Sequence, residues 1–167
     1  MLHHVSVGVR DVERAAKFYD AVLSALGYKR VMEFMPYAVA YGEKYPSFWV
    51  QLPHNQQAAT VGNGVHIGFV ARNKDAVHRF HSSALAQGGT DDGAPGPRPD
   101  YGPNYYGAFV IDLDGNKLEA TLTAMPKAKP AAKAKAKVKA KAAKKPTKKS
   151  AKKAAPKKKT KRKAKRK

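Results

Sequence analysis

The chain has 167 residues, a formal net charge of +21 and no cysteine, which excludes disulfides and thiolate metal ligands and leaves histidine and carboxylate as the ligand types for any metal. The charge is uneven: 22 of the 33 Lys and Arg residues lie between 127 and 167, where there is no Asp or Glu, leaving 11 basic against 12 acidic residues in positions 1–126. The sequence therefore divides into a nearly neutral folded part, residues 1–125, and a basic tail, residues 126–167.

The first residues show neither a leader pattern nor any run near the ~20 apolar residues of a membrane span, so the expected location is cytoplasmic. Leu2 to Val9 alternates, with Val5, Val7 and Val9 on one face and His4, Ser6 and Gly8 on the other, as in a strand with one buried side. Asp11 is placed to cap a helix whose apolar positions Val12, Ala15, Tyr19, Val22 and Leu26 recur at helical spacing, with Gly27 to end it. Three short strands are predicted next, Tyr28 to Phe34, Tyr37 to Gly42 and Ser47 to Leu52. A polar linker, Pro53 to Asn63, follows.

The pattern then begins again. Val65, Ile67 and Phe69 share one strand face and His66 lies on the other, repeating His4 at a separation of 62 positions. Asn73 or Asp75 starts a second helix with Val77, Phe80 and Ala84 along one side, and Gly88-Gly89 stops it. A Gly- and Pro-rich loop from Asp91 to Asn104, long enough to act as a lid, precedes a strand from Tyr105 to Ile111. Asp114-Gly115-Asn116 is turn chemistry, and the strand after it puts Leu118, Ala120 and Leu122 on one face and Lys117, Glu119 and Thr121 on the other. Glu119 is then either solvated at a sheet surface or held in a polar cavity. The fold class expected is α+β, two βαβββ modules.

The segments LHHVSVGVRDVERAAKFYDAVLSALGY, VHIGFVARNKDAVHRFH and YYGAFVIDLDGNKLEA resemble the glyoxalase, bleomycin-resistance and extradiol-dioxygenase superfamily, the vicinal oxygen chelate proteins, over residues 1–124. The resemblance implies that the two modules form a curved mixed sheet around a cavity with a divalent metal on the concave face. It carries the ligand positions onto His4, His66 and Glu119, which strand parity also places off the apolar faces, with Fe, Mn, Zn or Ni as the candidate ions. A fourth ligand position falls on Trp49, which cannot ligate, and Phe109 stands where ring-cleaving members have Tyr. Trp49, Gln51, Tyr37, Arg98, Tyr101 and Tyr105 are the residues expected to shape a pocket, Arg98 by pairing with an anionic group. The function implied is a metal-dependent enzyme, glyoxalase- or dioxygenase-like, acting on a small molecule, with a homodimer expected. The alternatives are a metal-free ligand-sequestering protein and a nucleoid-associated protein whose folded part is a dimerising platform.

The tail is built of Lys, Ala and Pro without aromatic residues, and resembles the tails of linker histones and bacterial histone-like proteins. Such a composition cannot bury enough apolar surface to order itself and is expected to be disordered. Lys127, Lys129, Lys144, Lys145, Lys157, Lys158, Lys159, Arg162 and Arg166 are candidates for neutralising phosphates, giving non-specific nucleic-acid binding and a nucleoid association.

Overall fold

Each half of the sequence folds as its alternation predicts, in a computed structural model that describes residues 2–122. The first module contains β1 (Val5–Gly8), α1 (Val12–Ser24), β2 (Lys29–Phe34), β3 (Ala38–Gly42) and β4 (Phe48–Gln51). The second contains β5 (His66–Val70), α2 (Lys74–Ala86), β6 (Thr90–Pro97), β7 (Tyr106–Ile111) and β8 (Lys117–Leu122). Their sheets have the same order, β1-β4-β3-β2 and β5-β8-β7-β6, with the first strand parallel to the last and all other pairs antiparallel. The fold is thus α+β with two four-stranded mixed sheets. The basic tail lies outside the described residues. Among those described, no helix is long and apolar enough to cross a membrane.

Local chemistry sets the element ends. The Asp11 carboxylate accepts from Arg14 N at 2.9 Å and caps α1, and Asn73, rather than Asp75, caps α2 by accepting from Ala76 N at 2.8 Å. Past the last turn of α1, Gly27 takes φ 87°, a left-handed conformation open to glycine at little cost. The helices present Phe18, Tyr19, Val22 and Leu23 from α1, and Val77, Phe80 and Ala84 from α2, to one shared core. Val7, Val9, Val50, Val110, Leu118 and Ala120 enter that core from the sheets. An edge-to-face contact of Phe48 with Phe69, ring centres 5.1 Å apart, joins the two modules through it.

The lid loop expected from Asp91 to Asn104 is corrected by the structure. Thr90–Pro97 pairs with β7 as the outermost strand, with irregularities between Asp91 and Gly93 and between Gly93 and Gly96, and Pro99–Tyr101 forms one 3-10 turn. An edge strand needs only half of its backbone groups for the ladder, and bulges take up the rest, so glycine and proline do not prevent pairing there.

A second junction between the modules is made by the turn at 112–116. The buried Asp112 carboxylate accepts from the Tyr19 hydroxyl at 2.6 Å, Asn116 N at 2.7 Å, Asp114 N at 2.9 Å and Asn116 Nδ2 at 2.9 Å. Asp114 accepts from Arg10 Nε at 2.7 Å and from Arg14 Nη2 at 3.1 Å, and Asn116 Nδ2 also donates to the Gly8 carbonyl at 3.3 Å. Gly115, at φ 96°, makes the reversal possible. The turn therefore fixes the start of β8 against the end of β1 and the first turn of α1.

Candidate functional site

Glu119 sits in the middle of β8 on the sheet face turned away from the core, yet it is only 3% exposed. Cross-strand neighbours explain this. Its partner on β5 is Gly68 and its partner on β7 is Phe109, while Gly107 stands opposite Thr121 one step along the same face. A Cβ on Gly107 would lie 3.1 Å from Glu119 Oε1, and one on Gly68 would lie 3.5 Å from Oε2, so the two glycines open the space the carboxylate fills. Oε1 accepts a hydrogen bond from the Tyr105 hydroxyl at 2.5 Å, and Oε2 lies 3.4 Å from His66 Nε2. Burial, reinforced by that bond to a carboxylate, raises the pKa of the Tyr105 phenol, so it stays a proton donor.

The surroundings are cationic and aromatic. Phe109 is buried beneath the Arg98 guanidinium, 5.5 Å from its ring centre, and the Lys117 ammonium, 5.1 Å away. Lys117 is paired with Asp92 at 2.6 Å, whereas Arg98 donates to the carbonyls of Ala94 and Pro97 and has no carboxylate partner among the described residues. Thr121 Oγ1, two residues along β8 on the face of Glu119, is buried without a hydrogen-bond partner. A buried carboxylate, a half-exposed imidazole, a phenol, an orphaned hydroxyl and an uncommitted guanidinium can together hold a cation or a polar ligand.

The structure brings together only part of the predicted set. His66, Glu119, Tyr105, Tyr101 and Arg98 belong to one face of the second module, with Tyr101 edge-on to Tyr105 at 5.3 Å. His4 is exposed at the start of the first module, its Nδ1 2.9 Å from His3 Nδ1, and among the described residues no third His, Asp or Glu joins the His66–Glu119 pair. Trp49 and Gln51 lie on the outward face of the first sheet. There Trp49 pairs with Ser6 and Ala40 and runs nearly parallel to the Phe34 ring, 6.2 Å away. Tyr37, 67% exposed, lies at the turn between β2 and β3. The nine candidate nucleic-acid residues of the tail lie outside the described residues.

Register supports the equivalence of Trp49 and Glu119. Ser6, two residues after His4, pairs with Trp49, and Gly68, two residues after His66, pairs with Glu119. Sequence reading missed Lys117, Thr121, Gly68 and Gly107. The alternation that exposed Glu119 also puts Lys117 and Thr121 on its face, and the glycines were visible two residues after His66 and two residues after Tyr105.

Comparison with known proteins follows the same lines. Residues 1–120 match the family model of the Glyoxalase/Bleomycin resistance protein/Dioxygenase superfamily. A glyoxalase/bleomycin resistance protein from Albidiferax ferrireducens T118 is 38% identical with a TM-score of 0.66, over 74% of this chain and 99% of that one. Two others share the fold. A glyoxalase-related enzyme from Fulvimarina pelagi is 21% identical with a TM-score of 0.58, over 74% of this chain and 88% of that one. A glyoxalase/bleomycin resistance protein/dioxygenase family enzyme from Burkholderia phytofirmans PsJN is 18% identical with a TM-score of 0.55, over 72% and 96%. No curated protein matches. With the family model covering most of the chain and both modules repeating one βαβββ plan, this chain belongs to the glyoxalase/bleomycin resistance protein/dioxygenase superfamily.

Proposed function

We propose that the folded part is a divalent-metal-dependent vicinal oxygen chelate enzyme centred on Glu119 and His66, and that the tail holds it on nucleic acid without sequence preference. The observation that carries this reading is the buried Glu119 carboxylate with His66 Nε2 at 3.4 Å. A buried carboxylate is costly unless compensated, and the Tyr105 hydroxyl supplies one donor but no charge. Two donor atoms bound to one first-row metal at about 2.1 Å each stand roughly 3–3.4 Å apart, so the spacing fits two positions of such an ion. The orphaned Thr121 hydroxyl and the space beside Gly68 and Gly107 fit the same reading.

Two ligands leave the shell incomplete, and His4 of a second copy is our candidate for the third. The outward faces of both modules expose apolar side chains, Met32 and Phe34 on one and Val70 and Tyr101 on the other, and a two-fold dimer that sets the first module of one copy against the second module of the other would cover both. When bound, the metal supplies Lewis-acid stabilisation to an anion developing on two vicinal oxygens of a small-molecule substrate. The chain's own groups would do the rest: Tyr105 keeps Glu119 in place, Arg98 attracts an anionic substrate group, and His66 presents one nitrogen to the site. Metal analysis of the full-length protein should find near-stoichiometric metal that is lost in both Glu119→Ala and His66→Ala. No metal after reconstitution with iron, manganese, nickel and zinc would overturn the reading in favour of metal-free ligand sequestration, which the parallel Phe34 and Trp49 rings favour. For the tail, DNA affinity should fall steeply between low and physiological salt; salt-independent binding would contradict it.

A further inference from the structure

We propose that the first module carries a second binding site, independent of the Glu119 centre, for an amphipathic carboxylate. The segment joining the modules lies beside the ends of β1 and β4 and forms with them an open cleft of about 800 Å³, within the size range of small-molecule sites. Leu52, Pro53 and Ala58 supply apolar surface, and the exposed Tyr37 ring forms one wall. The polar side chains are Arg10, His54, Gln56 and Gln57, of which Arg10 is the one permanent charge. No residue of the second module's sheet lines it.

Arg10 is held ready. Its backbone N and Nε donate to Asp114 Oδ1 at 3.1 and 2.7 Å and its Nη2 donates to the Leu113 carbonyl at 3.1 Å, while Nη1 makes no hydrogen bond among the described residues. Arg14 also pairs with Asp114, so Asp114 is shared between two guanidiniums and does not engage Arg10 alone. A guanidinium fixed on one edge gives the other edge to a ligand oxygen with little further ordering cost. The joining segment is itself ordered by a turn, Gln56 N to the Pro53 carbonyl at 2.9 Å and Gln57 N to Asn55 Oδ1 at 3.1 Å. Gln56 is the one non-glycine residue with positive φ, 60°, among the described residues. One uncommitted guanidinium edge, with an imidazole and two neutral carboxamides, above an apolar floor matches a single carboxylate on an aliphatic or aromatic body.

The test is calorimetric titration of the full-length protein with octanoate and with 1-octanol at 0.3 M salt. The tail is the same in every variant, so its contribution is constant. Octanoate should bind about tenfold more tightly than octanol. Ala58→Phe, which fills the cleft from an exposed position, should weaken octanoate about tenfold, and His54→Ala should weaken it about threefold, with melting temperatures unchanged. Equal affinity for octanol, no binding of octanoate, or octanoate binding undiminished by Ala58→Phe would each overturn the proposal. None of these outcomes depends on Glu119 or on a bound metal.

Discussion

The two modules share one backbone plan and differ most at one register position, where β8 carries Glu119 between Gly68 and Phe109 and β4 carries Trp49 between Ser6 and Ala40. Around Glu119 the sheet is cut back to glycine and the polar groups converge; around Trp49 the paired neighbours Ser6 and Ala40 keep their Cβ atoms and, among the described residues, no charged side chain pairs with it, with Phe34 56% exposed beside it. The turns that lead into these strands differ in the same sense. Asp112 and Asp114 are tied into a network that reaches the first module, whereas Glu43, in the corresponding turn, makes only a pair with Arg72 at 2.9 Å in which both side chains are exposed. The repeated plan thus concentrates its polar groups in one module, and that module is the one whose carboxylate-bearing strand is anchored.

The anchor should be the easiest difference to break. Asp112→Ala removes the acceptor of four hydrogen bonds and leaves buried donors on Tyr19 and Asn116, which should cost about 3–4 kcal/mol in urea unfolding with little change in m. The turn also makes stability depend on pH. Burial acts to raise the Asp114 pKa, but hydrogen bonds from Arg10 and the charge of Arg14 outweigh it, and the net shift is downward. A carboxyl whose folded pKa is lowered stabilises the fold above its unfolded value, about 3.9, and that contribution is lost as pH falls through the folded value. Asp114→Asn should therefore flatten the acid limb of the stability curve below about pH 4.

Next in size is an attempt to make the modules alike. Trp49→Glu places a carboxylate between Ser6 and Ala40 with no glycine beside it and no tyrosine positioned as Tyr105 is, and should destabilise by about 2–3 kcal/mol in the same assay. The converse change, Glu119→Gln, keeps an acceptor for Tyr105 and removes the buried charge. It should stabilise the metal-free protein by about 1 kcal/mol, the sign expected where a residue serves function rather than folding. It should also bring the Tyr105 titration part of the way back toward the ordinary phenol value near 10, because burial, the larger cause, remains. Ultraviolet titration against Tyr105→Phe measures that shift.

Much of this contrast could be read from alternation alone. The period-two pattern of residues 117–122 predicts that Glu119 leaves the apolar face, and aligning the last strands of the two modules predicts that Trp49, 70 positions earlier, is its counterpart. What alternation does not carry is depth. Whether an off-core carboxylate is solvated depends on the strands beside it, and only the pairing of β5, β8 and β7 shows that Gly68, Gly107 and Phe109 bury it. The same holds for Thr90–Pro97, whose Gly and Pro content reads as loop until β7 is seen to supply a partner. It holds also for Asp112 and Asp114, legible as turn formers but not as ligands of Tyr19, Arg10 and Arg14, more than 90 positions away.

The smallest effect sharpens the comparison from the other side. Glu43→Ala breaks the Arg72–Glu43 pair, whose side chains are 67% and 55% exposed, and should change stability by less than about 0.5 kcal/mol. Both turns connect the third strand of a module to its fourth, so the ratio of this effect to that of Asp112→Ala isolates burial and connectivity from position in the repeat. If Glu43→Ala were as damaging as Asp112→Ala, the first module's turn would be an anchor too, and the asymmetry would reside in the two sheet faces alone. A near-silent Glu43→Ala beside a severe Asp112→Ala would instead tie the rigidity of the second module to the strand that carries its buried carboxylate.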